Sequence, residues 1–171
     1  IILSTTLILI GMIFSQQSIN VSPKSFDLDL SRENIPIEIM SIVDVDQLLR
    51  EDAEPGIKPF RYGFKHDVDF STSNAGSLEI MDNGDSIWRL KIRSTGAYAI
   101  RLFFSNLDLP EGALLHIYRE VQGGYFGGYS SENNDIVFST PLVEGDECII
   151  EYFEPAGASY HGNININHVV H

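Results

Sequence analysis

Gly84-Asp85-Ser86-Ile87-Trp88-Arg89-Leu90-Lys91-Ile92-Arg93-Ser94-Thr95-Gly96-Ala97-Tyr98-Ala99-Ile100-Arg101-Leu102-Phe103-Phe104 holds two strand patterns joined at a Ser-Thr-Gly turn, together with the only Trp of the chain. Trp88, Leu90 and Ile92 alternate with Arg89, Lys91 and Arg93, so one face is apolar and the other charged. Successive side chains of an extended backbone point to opposite faces, and this period of two is the signature of a half-buried strand. Trp88 is therefore expected as a core anchor, with the three basic residues on the other face.

Outward from this stretch, turn signals recur at short intervals. Asn74-Ala75-Gly76, Asp82-Asn83-Gly84, Pro110-Glu111-Gly112, Gly123-Gly124, Asn133-Asn134, Glu144-Gly145-Asp146 and Pro155-Ala156-Gly157 punctuate the chain. Between them the pattern predicts about eight short strands, near residues 78–81, 86–93, 97–104, 114–119, 125–129, 136–138, 147–153 and 163–170. The intervals are too short for helical crossovers, so the sheets are expected to be antiparallel. The predicted fold is all-β: an antiparallel two-sheet jelly-roll-like sandwich with one short N-terminal helix.

That helix is read over Asp44-Val45-Asp46-Gln47-Leu48-Leu49-Arg50-Glu51-Asp52, where Asp44 can cap free amides and Pro55-Gly56 ends the run. Phe60, Tyr62 and Phe64 alternate again, and 35–40 reads as an extended edge carrying Pro36. Residues 1–17 begin with an apolar run, IILSTTLILIGMIF, and no charged residue precedes Lys24. The run is short for a bilayer span, which takes ~20 residues, and suits the hydrophobic region of a signal peptide. The initiator Met and basic flank are missing, so the segment is expected to be truncated at its start. The domain expectation is a signal peptide at 1–17, a linker or edge segment at 18–34, and the β-sandwich at 35–171.

Eleven Lys and Arg stand against 24 Asp and Glu, a net charge of −13. This argues against nucleic acid and against an anionic membrane surface, both of which select basic patches, and favours a basic partner. The single cysteine, Cys148, rules out an internal disulfide. It sits in the apolar strand pattern 147–153 and reads as a packed core thiol.

The search for chemistry assigns no catalytic, cofactor-binding or metal residue. Gly84-Asp85-Ser86 superficially matches the surroundings of a trypsin-like nucleophile, but Ile87 replaces the following glycine and a strand continues at once. Gly145-Asp146-Glu147 has Glu where a nucleophile would be needed. His161, His168 and His171 are close in sequence, yet the odd spacing of the last two puts them on opposite faces of a strand and no Cys or acid accompanies them. The loop from Asp82 to Asp85 has too few oxygen ligands at fixed offsets for calcium and reads as a hairpin turn. Gly123-Gly124-Tyr125-Phe126-Gly127-Gly128-Tyr129, with Tyr160 later, invites a glycan or extended-peptide ligand. The competing reading packs Tyr125, Gly127 and Tyr129 on one face of a strand.

In order and spacing, residues 39–52, 58–63, 84–90, 96–98, 109–113, 139–146, 149–155 and the final His168-Val169-Val170-His171 together resemble the N-terminal pro-region of secreted trypsin-like and lysyl-endopeptidase-like serine peptidases of Bacteroidetes-type bacteria. The sequence departs from that pattern around 122–128, where the glycine insertion is unusual. The resemblance implies a peptidase domain C-terminal to His171, with its catalytic triad there. It implies a secreted, non-catalytic pro-domain acting as folding aid or inhibitor, with its own peptidase domain as partner in cis. The alternative is a stand-alone carbohydrate-binding or adhesive sandwich with an exposed aromatic row. A third reading, an enzyme complete in itself, lacks an assembled site.

Overall fold

The computed structural model describes residues 18–56, 59–119 and 124–171. The segment read as a signal peptide and the start of the glycine insertion lie outside the described residues. Among the described residues the strands run, in chain order, β1 (Ile37–Ile39), β2 (Lys65–Ser71), β3 (Ser77–Ile80), β4 (Ser86–Arg93), β5 (Ala99–Asp108), β6 (Leu114–Tyr118), β7 (Tyr125–Tyr129), β8 (Phe138–Ser139), β9 (Val143–Glu144), β10 (Glu147–Glu154) and β11 (Asn163–Val170). They form two sheets. The first has the order β1-β4-β10-β6-β7, with β3 also on β4; the second has the order β2-β11-β5-β8, with β9 also on β5. The chain passes repeatedly between the sheets, and the all-β sandwich follows.

The core lies where the period-two pattern places it. Trp88, Leu90 and Ile92 of β4 are buried against Leu102 and Phe104 of β5, Ile150 of β10 and Ile166 of β11, within one cluster. Trp88 donates its indole N–H to the Ala75 carbonyl at 2.7 Å, so its polar edge is satisfied inside the core. Gly76 makes this possible: its φ is +73°, and a Cβ there would lie 2.7 Å from the indole nitrogen.

The other face of β4 departs from the half-buried reading. Arg89 and Lys91 are buried, as is Glu151 opposite Arg89 on β10. A roof of residues 18–36 covers them. It contains a single helical turn, α1 (Lys24–Asp27), beyond the one helix expected from the sequence. Ser25 donates its backbone N–H to Glu151 at 3.0 Å. Arg89 donates to the Ser31 carbonyl at 2.8 Å and pairs with Glu79 at 3.2 Å. Phe26 meets Tyr118 edge-on at 4.9 Å, and the Arg32 guanidinium lies 4.3 Å from the Phe26 ring centre. A charged strand face reads as solvent-facing unless a distant segment supplies its partners, and alternation within the strand carries no trace of that segment.

Other departures are local. The roof leads into β1, which pairs with β4 in parallel through Ile37↔Lys91 and Ile39↔Arg93, an exception to the antiparallel expectation. The alternating Phe60-Arg61-Tyr62-Gly63-Phe64 precedes β2 and is not itself a strand. The pattern expected at 136–138 shrinks to Phe138 and Ser139, with Ile136 and Val137 exposed. The expected helix forms as α2 (Val45–Ala53), and the Asp44 carboxylate accepts the Gln47 N–H at 2.8 Å.

Candidate functional site

The residues that carry nucleophilic or acid–base chemistry do not form a reaction centre. Ser86 opens β4 between Ile80 of β3 and Glu154 of β10, so its backbone belongs to the sheet ladder rather than to an oxyanion turn. It lines a cleft of about 380 Å³ with Trp88, Tyr152, Glu154 and His161. The Glu154 carboxylate accepts from His161 Nδ1 at 2.6 Å, from the Gly162 N–H at 2.8 Å and from the Tyr152 hydroxyl. Burial alone would raise the pKa of Glu154, but these hydrogen bonds hold it below the usual carboxylate value. Among the described residues no hydrogen bond joins Ser86 to His161, whose side chain is 98% exposed. The Glu154–His161 pair, with the Gly162 N–H, binds this loop to the end of β10.

Cys148 is fully buried in the core, and burial, with Glu147 nearby, pushes its thiol up to about 12. The thiolate, the reactive form, is suppressed there. His168 reaches Asp67 at 2.9 Å, whereas His171 turns to Ser94, Nδ1 to Oγ at 2.8 Å. Among the described residues no group of three or more His, Cys, Asp or Glu is arranged for a metal ion.

Tyr125 and Tyr129 do not share one face. The register of β7 on β6 shifts between Leu115 and His116, at Gly127 and Gly128, both with positive φ. This bulge adds a residue and reverses the side-chain direction. Tyr129 enters the core against Phe138 at 4.9 Å, while Tyr125 joins the opposite face beside Phe26 and His116. Their rings are used in packing. Period-two counting missed this because a bulge breaks the count.

An open apolar surface lies beside helix α2. Helix α2 is amphipathic in sequence yet buries none of its residues. It is held by Arg61, which pairs with Glu51 at 2.9 Å and Asp52 at 3.1 Å. Between the helix and the sheets runs a groove of about 330 Å³, lined by Val45, Leu49, Tyr62, Phe64, Tyr98 and Leu142. Tyr98 is 94% exposed. Val170 and His171 also line it, and Phe64 and His171 exchange both backbone hydrogen bonds, at 2.8 and 2.9 Å. Behind this pair lies His66, buried, with its ring 6.4 Å from that of His171. Burial holds both imidazoles below the ordinary histidine value, and for His66 the neighbouring His171 adds to the effect. Sequence reading supplied the pieces, an amphipathic helix and the 60–64 alternation, but the groove needs their juxtaposition.

Fold and surface together define an all-β sandwich with an open apolar groove beside helix α2. Residues 40–171 match the family model described as the lysyl endopeptidase N-terminal domain, and the chain belongs to that family. No solved structure matches the chain. The matched region begins within the element order described above, one residue after β1, so the roof at 18–36 packs on the family domain from outside the match.

Proposed function

We propose that this chain is the non-catalytic N-terminal pro-domain of a secreted serine endopeptidase precursor, which assists the folding of its peptidase domain and restrains it before removal. The observation that carries the reading is the family match over residues 40–171. The geometry accords with it. Ser86 lies in a strand ladder, Cys148 is buried, and the Glu154–His161 pair serves a loop. The partner is the peptidase domain in cis. Secretion rests on the apolar segment at 1–17 read as a signal peptide.

The stand-alone glycan-binding reading drew on the aromatic stretch at 125–129, whose two tyrosines pack against the protein's own residues. The test is to express the precursor with and without this domain and to measure the yield of active peptidase. The reading expects the yield to fall at least tenfold on deletion. An equal yield, with equal activity before processing, would refute it.

A further inference from the structure

We infer that the groove between helix α2 and the segment at 61–64 is the docking surface for the peptidase domain that follows this one in cis. The inference rests on the proposed function and deepens it by locating the partner surface.

Three observations converge. The first is a set of exposed apolar side chains that border one groove. Leu49 is 61% exposed, Tyr62 59%, Leu142 48% and Tyr98 94%, and they border the same groove. Contiguous apolar surface rimmed by polar groups marks interaction sites on soluble proteins. Leu48 and Leu49 face it from a helix that contributes nothing to the core, so the helix is retained at the surface with its apolar side uncovered.

The second observation is direction. Antiparallel pairing aligns Val170 with Lys65, and the mutual hydrogen bonds of His171 and Phe64 carry the ladder one step further. A polypeptide continuing from His171 in this register runs alongside Gly63, Tyr62 and Arg61. Those residues alternate as a strand should, yet form none in this structure. Gly63 fits the close approach: a Cβ there would lie 2.7 Å from the His171 carbonyl oxygen. The family description is that of an N-terminal domain of the peptidase, which makes the peptidase domain the natural occupant of the groove.

The third is charge. Asp44 and Asp46 lie at the start of the helical wall and Glu144 pairs with Ala99 of the opposite wall, while Arg61 at the groove is taken up by Glu51 and Asp52. With the net charge of −13, this selects a partner face that is apolar at its centre and basic at its rim.

The test uses the chain and the separately purified mature peptidase of the same precursor. Binding is measured for wild type, for Leu49→Asp with Tyr98→Asp, and for a control, Ile136→Asp, which is exposed beside Asp135, the partner of Leu107 at the opposite end of β5 from the groove residue Ala99. Circular dichroism and thermal melting establish that each variant is folded. The groove variant is expected to bind at least tenfold more weakly, and the control within twofold of wild type. If wild type binds and the folded groove variant binds equally well, the groove assignment is overturned while the pro-domain reading stands. If wild type itself does not bind or inhibit, the functional reading fails and the inference falls with it. Light scattering that shows a wild-type dimer converted to monomer by the groove variant, with peptidase binding unchanged, assigns the surface to a second copy of the chain and likewise overturns the inference.

Discussion

Glu151 sits at the middle of β10 with no solvent exposure, and its carboxylate accepts from the Ser25 N–H and from the Tyr118 hydroxyl at 2.8 Å. Burial, and then the adjacent carboxylate, raise the Tyr118 pKa and keep the phenol a donor. Glu151→Ala strands the Ser25 N–H and leaves the phenol only Ser25 Oγ, at 3.2 Å, and is expected to lower stability by at least about 2 kcal/mol, since two buried donors lose a charged acceptor at once. Urea denaturation measures it. Trp88→Ala removes the largest core side chain and its bond to Ala75, with an expected loss of ~3–5 kcal/mol. An unchanged urea midpoint would mean that β4 faces the other way. His116 gives the sign of the pH response. Its Nε2 lies 2.9 Å from the Val21 carbonyl, which only accepts, so Nε2 carries the proton and Nδ1 is bare, buried and unpartnered. Burial lowers its pKa from 6.5, against the opposing effects of Val21, Glu151 and Asp27. A histidine neutral in the fold contributes stability above the unfolded value of 6.5, which is lost as pH falls through the folded value. The melting temperature is therefore expected to drop as pH goes from 7 to 5, with His66 and His171, shifted in the same direction, adding to the fall. A melting temperature that rises over this interval would contradict the assignment.

At the level of elements, the roof at 18–36 and β4 depend on one another. Lys91 donates its backbone N–H to the Pro36 carbonyl and Ile19 donates to Gly128, so the segment is tied at both ends. Gly128 has to be glycine here, because a Cβ would lie 2.1 Å from the Ile19 carbonyl oxygen. Removing residues 18–36 uncovers Glu151, Arg89 and Lys91 together. The truncated chain is expected to lose several kcal/mol and to bind a hydrophobic dye, whereas a chain lacking only residues 1–17 is expected to melt as a cooperative unit. Equal melting of the two chains would show the roof to be dispensable. This is also where the sequence was least legible. The inner face of β4, the Asp44 cap of α2 and the short strands between turns all follow from local spacing. The buried charges do not, because their partners lie 58 residues away for Arg89 and Ser31 and 126 for Glu151 and Ser25. The Tyr125–Tyr129 facing was lost to a glycine bulge, and the strand pattern at 60–64 has no partner strand beside it.

Across the described residues, the sandwich closes its core and the roof covers the charged face of β4, while the groove at α2 stays apolar and open. The resemblance visible in the short motifs agrees with the family match, while the groove emerges only when α2, Tyr98 and Leu142 are brought together from distant parts of the chain. An interface of the usual size, ~1,600 Å² in total, is larger than this groove, so the surrounding rim also takes part. The acidic net charge predicts that association with the peptidase slows as salt is raised, because screening shortens the reach of charge steering. The proposed role is restraint of the peptidase without chemistry of the chain's own. It is tested most directly by titrating the purified chain into the mature peptidase of the same precursor and following hydrolysis of a lysyl reporter. Saturable inhibition at micromolar concentration or below, with no hydrolysis by the chain alone, is the predicted result. An unchanged peptidase rate across the titration, or hydrolysis by the chain itself that Ser86→Ala abolishes, would contradict it.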